Sequence, residues 1–85
     1  MDKLVLVEWE DSAQPTPSWM FLDDAPDLEI IKCMSVGWII NENDNVLMIA
    51  PNIGDYESGG GAQGSAFIRI PKSAIIKTAS LQEVK

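Results

Sequence analysis

The sequence predicts an all-β domain, a small five-stranded antiparallel SH3-like barrel with a short 3-10 turn before the last strand. Three stretches carry that expectation. In residues 34–52 two apolar runs, Val36 to Ile40 and Val46 to Ala50, flank Glu42-Asn43-Asp44-Asn45, which is the form of a β-hairpin with a loop of about four residues. Residues 3–11 alternate with period two. Near the end, Pro71-Lys72-Ser73-Ala74 breaks two strand-like runs, and strand, tight turn, strand is the closing element of SH3-like and Sm-like barrels.

In chain order, Val5, Val7 and Trp9 share one face of the first strand and are expected to face the core. Leu4 and Leu6 fall on the opposite face, available to another subunit. Asp11-Ser12 ends the strand, since both side chains bond readily to nearby backbone in turns. Residues 13–26 hold three prolines and read as a long surface excursion. Within it Ser18-Trp19-Met20-Phe21-Leu22 is an apolar island, expected to form one helical turn capped by Ser18 and to close an open end of the barrel. Residues 28–33 resume extended character, and Met34, Val36, Trp38 and Ile40 then share a face. Gly37 marks either a bulge or a close backbone approach, and the bulge is preferred because bending closes a barrel. Residues 52–65 read as a second long loop containing Gly59-Gly60-Gly61. Residues 66–70 form a strand with Ile68 and Ile70 on one face and Phe67 and Arg69 on the other.

Eighty-five residues make a single domain, 1–85, with room for one modest core. A core of that size leaves spare apolar surface, so a homo-oligomer is expected. Six basic against thirteen acidic residues give a net charge of −7, which disfavours DNA or RNA as a partner. The apolar start is short and broken by Glu8, so neither a signal peptide nor a membrane span is expected. Cys33 is the only cysteine, which fits a reducing cytoplasm. There is no histidine, the commonest general base and zinc ligand.

With these residues in place, the chain resembles a group of small proteins encoded in bacteriophage genomes. The likeness rests on Val7-x-Trp9-x-Asp11-Ser12, a lone Trp19 after a polar loop, Ser35-Val36-Gly37-Trp38 and Ile70-Pro71-Lys72, and it spans most of the chain. The Pro-rich first loop and the length of the Gly-rich loop depart from the group's pattern. The resemblance implies phage origin, and with it a host bacterial cytoplasm. Some phage counter-defence proteins of similar size act as "sponges", homo-oligomers that sequester nucleotide-derived immune signals, and the link to them is an analogy of class.

The candidate chemistry is that of binding. An indole stacks on a base for ~1–3 kcal/mol; for Trp9 and Trp38 core packing is preferred, and for Trp19 the two roles balance. Arg69 is the only arginine, and with Lys72 and Lys77 it places half of the six cations between positions 69 and 77. A guanidinium forks onto phosphate, although cross-strand pairing with Glu8, Glu10 or Glu29 is the preferred role for any one of these cations. Gly59, Gly60 and Gly61 match no phosphate-loop template and read first as a hairpin connection, with closure over a ligand as the sharper alternative. Asp23-Asp24, Asp27 and Asp44 lack the spacing of a calcium loop, and no serine has a visible base. The expectation is therefore a protein with no enzymatic activity, metal or cofactor. It would sequester a nucleotide-derived ligand through Trp19, Trp38, Arg69, Lys72 and Gly59–Gly61. The alternatives are a module that inhibits a host protein, or a minor virion or assembly component.

Overall fold

Val5 and Val7 lie on one face of the first strand, β1 (Leu4–Asp11), and are almost wholly removed from solvent. They mark the inner face of the sheet, to which Ile39, Leu47, Ile49, Ile68, Ile70 and Ile75 are also turned. The computed structural model describes residues 3–12, 15–16, 18–57 and 59–84. The expectations placed on Ala13, Gln14, Pro17 and Ser58 lie outside the described residues. After β1 come β2 (Ile31–Glu42), β3 (Val46–Ala50), β4 (Asn52–Gly54), β5 (Gln63–Ser65), β6 (Ile68–Pro71) and β7 (Ile75–Leu81). Short 3-10 turns occupy Leu22–Asp24 and Lys72–Ala74.

The architecture is all-β and antiparallel. One sheet has five strands in the order β6-β3-β2-β1-β7, and β4 and β5 form a separate two-stranded ribbon. Two expectations need correction. Among the described residues there are seven strands, and the five-stranded sheet is not closed: β6 and β7 are joined through the 3-10 turn but form its two edges. The extra strands fall within residues 52–65, expected as loop. Asn52, Gly54 and Gly64 have poor strand propensity, so pairing of the backbone decides there over side-chain preference.

The β2–β3 hairpin forms as expected. Asn43 closes its turn: the Oδ1 atom accepts from the backbone N–H of Asn45 and of Val46, both at 2.8 Å. Gly37 is not a bulge. The β1–β2 ladder runs unbroken through Val5↔Gly37, and the irregularity lies at Ile39/Asn41 in the β2–β3 pairing. A Cβ on Gly37 would lie 2.9 Å from the Ala50 carbonyl oxygen, so glycine is required for close approach of β3. Ala66, expected in a strand, instead adopts a left-handed φ of 58° between β5 and β6.

The inner cluster is Val5, Val7, Leu47, Ile49 and Ile70, with Trp9, Ile39, Ile68 and Ile75 packed against it. The Trp9 indole Nε1–H donates to Ser35 Oγ at 3.0 Å, so its one polar group is satisfied there. The apolar island does not plug this core. Trp19, Met20, Phe21 and Leu22 are all exposed, and the Leu22–Asp24 turn has Phe21 as its N-cap with no side-chain cap bond, so Ser18 does not play that part.

Gly37→Ala is expected to destabilise the fold by ~1–3 kcal/mol, because the displaced atom is backbone and not a flexible side chain. Urea unfolding checks this; a change under ~0.5 kcal/mol would contradict the close-approach role of Gly37.

Candidate functional site

Strand pairing fixes which side chains share the outer face of the five-stranded sheet. Opposed pairs Leu4↔Trp38, Leu6↔Val36 and Glu8↔Met34 alternate with inner pairs such as Val5↔Gly37. Across the next ladder Trp38 opposes Ala50, and in the one after that Met48 opposes Arg69. The outer face therefore carries Leu4, Leu6, Met34, Val36 and Trp38 in its middle, with Arg69 on one edge strand and Lys77, opposite Glu8, on the other.

Trp38 is thus not a core residue. Period two gave it the right partners, Val36 and Met34, but that set faces outward: Met34 keeps 72% and Val36 47% of its surface in solvent, while Trp38 is half-buried. The sequence signal that distinguishes the faces is Gly37, whose missing side chain admits Ala50 on the inner side.

Arg69 is exposed on β6 and lines a depression of about 150 Å³ with Asn41, Glu42, Asn43, Val46 and Met48. Among the described residues it forms no ion pair with a carboxylate, so the expected pairing with Glu8, Glu10 or Glu29 does not occur. Two strand spacings and one two-residue step separate the Cα atoms of Trp38 and Arg69, roughly 12 Å.

Lys72 is engaged elsewhere. Its Nζ donates to Glu42 Oε1 at 2.7 Å at the rim of a second depression of about 280 Å³, whose floor includes Ile39, Leu47 and Ile75. The hydrogen bond from Lys72, then its charge, holds the Glu42 carboxyl below the ordinary value of 4.5, with a smaller contribution from Lys3. The backbone N–H of Lys72 also bonds to the Asn45 carbonyl at 2.8 Å, tying the 3-10 turn to the hairpin turn.

The remaining expected site residues stand apart from these. Trp19 lies in the segment between β1 and β2 and lines its own open depression with Thr16, Ser18 and Met20. Gly59, Gly60 and Gly61 lie between β4 and β5, where a Cβ on any of them would meet no heavy atom within 4 Å. The structure thus puts Trp38 and Arg69 on one face and does not bring Trp19, Lys72 or the glycines to it. Sequence reasoning missed Asn41, Glu42, Asn43 and Met48 beside Arg69; the Asn-rich hairpin turn was the available signal.

Among the described residues no group of three or more His, Cys, Asp or Glu side chains is arranged to hold a metal ion. No helix among them is long and apolar enough to cross a membrane. Compared with known proteins, the chain matches no family model, no curated protein and no solved structure.

The Lys72–Glu42 pair makes an acid-side prediction. Because the Glu42 carboxyl is depressed in the fold, its stabilisation is present above the ordinary carboxylate range and is lost as pH falls through the folded value. Lys72→Met should raise the Glu42 titration toward the ordinary range, with the smaller influence of Lys3 remaining, and remove that part of the acid-side loss of stability. NMR titration of the Glu42 side chain reads it directly, and an unchanged titration would contradict the pairing.

Proposed function

We propose that this chain is a non-enzymatic binding protein, a phage counter-defence protein that sequesters a nucleotide-derived signalling molecule as a homo-oligomer. We assign its scaffold to the SH3-like class. The order β7-β1-β2-β3-β6, the long excursion after β1 and the 3-10 turn before β7 support that assignment.

One observation carries the ligand reading: Arg69 and Trp38 share the outer sheet face with only Met48 and Ala50 of β3 between them. Among the described residues Arg69 has no carboxylate partner, which leaves its guanidinium a ready donor for phosphate through two parallel hydrogen bonds. The depression beside it has room for one phosphate-sized group; Asn41 and Asn43 add polar side chains to its lining, and the Glu42 carboxylate that also lines it is neutralised by Lys72. The indole, two strands away on the same face, offers a stacking platform for a base. Lys72 has a smaller part than its sequence position implies, since Glu42 already neutralises it. Trp19 and Gly59–Gly61 stand apart from this face and are not part of the proposed site.

A second reading, a module that inhibits a host protein, is favoured by the apolar middle of the same face, where Met34 and Val36 are exposed.

Titration calorimetry with cyclic nucleotides and ADP-ribose derivatives tests the first reading. Binding of at least one is expected, weakened roughly tenfold or more by Arg69→Ala, the loss of a charge-assisted hydrogen bond. No heat from any of them, together with retention of one host protein from bacterial lysate, would favour the second reading instead.

A further inference from the structure

The chain is far more extended than its length requires. Its radius of gyration is 17.2 Å, with extents of 58 × 28 × 26 Å, whereas a compact chain of 85 residues has a radius near 12 Å. Much of the excess surface is apolar and lies in one segment. Between β1 and β2, Trp19 and Leu28 are as exposed as in an isolated peptide (102% and 105%), and Phe21 (82%) and Leu22 (91%) nearly so. Every described residue from 18 to 30 is exposed.

We propose that this arm docks on the outer sheet face of a second copy of the chain, and that the second copy returns its own arm in the same way. The inference rests on the reading of the protein as a homo-oligomer and names the surfaces that join it. It does not depend on the ligand.

Three properties select a second copy as the occupant. The first is charge. The arm contains Asp23, Asp24, Asp27 and Glu29 and no basic residue. The outer face offers such an arm two cations, Lys32 and Lys77, which stand there with Glu10 and Glu8, besides the Arg69 assigned to the ligand. The second is area. Covering Trp19, Phe21, Leu22, Leu28 and Ile30 removes roughly 600–800 Å² per arm. Two reciprocal arms, with the faces beneath them, exceed the ~1,600 Å² of a standard interface. The third is reach. Both ends of the arm are anchored where Asp11 pairs with Ile31, so it extends as a loop of about half its contour. That is roughly 30 Å, enough to cross a body 28 Å wide. The exchange is isologous, and so closes as a dimer instead of growing into a fibre.

Sedimentation velocity over a concentration series of the full chain is the test. The expected result is a dimer, converted to monomer by Phe21→Asp with Leu28→Asp in the arm and, independently, by Met34→Glu on the face. All three positions are exposed in the single chain, so circular dichroism should show each variant folded. A third variant, Met34→Gln, guards against misfolding and should weaken the dimer by a smaller factor. A dimer lost with the face variants but untouched by the arm variants would overturn the arm exchange and leave the homo-oligomer standing. A monomer at all concentrations would overturn both, whatever calorimetry shows for nucleotides.

Discussion

Five side chains, Val5, Val7, Leu47, Ile49 and Ile70, form the buried cluster on which the sheet is built, and their small number governs the rest of the molecule. Each inward residue is matched by an outward neighbour one position away, because a strand alternates its side chains. A chain whose composition is 46% hydrophobic cannot place more than a fraction of that surface in so small a cluster. The remainder appears as the outer face, with Leu4, Leu6, Met34, Val36 and Trp38, and as the arm between β1 and β2. A domain of this size gains stability by covering such surface with a partner, since binding to the folded state alone shifts the folding equilibrium.

The same constraint shapes the polar residues. Among the described residues no buried side-chain polar atom lacks a partner, and the Trp9 indole finds its own in Ser35. Charged side chains are left to the outer face and the rims. There two kinds of cation are present: Lys72, locked to Glu42 and stitching the closing turn to the central hairpin, and Arg69, which has no carboxylate partner among the described residues. The first is architectural and the second is chemically available. That division makes Arg69 the centre of the proposed ligand site.

Much of the sheet was legible in the sequence, because alternation and turn chemistry are local. Val5, Val7 and Trp9 declared the inner face of β1, Ile68 and Ile70 that of β6, and the Asn43-Asp44-Asn45 turn its hairpin. The errors arose where the outcome depends on residues distant in sequence. Whether Trp38 faces in or out is decided by Ala50 lying against Gly37, and period two cannot assign an absolute side. The β4–β5 ribbon was hidden because its strands are held by backbone pairing, with glycine and asparagine where β-branched residues are expected. For the site, clustering of cations between positions 69 and 77 was visible, but their division between a paired Lys72 and an available Arg69 was not. The acceptor, Glu42, lies thirty residues away.

The central claim is that the apolar surface left over by the small core is covered between molecules and not within one. Amide hydrogen exchange across residues 18–30, measured at two protein concentrations well separated about the dimer midpoint, tests this most directly. The account expects protection of these amides to rise with concentration while the β1–β2 ladder stays protected throughout. Exchange in that segment that is fast and the same at both concentrations would contradict it.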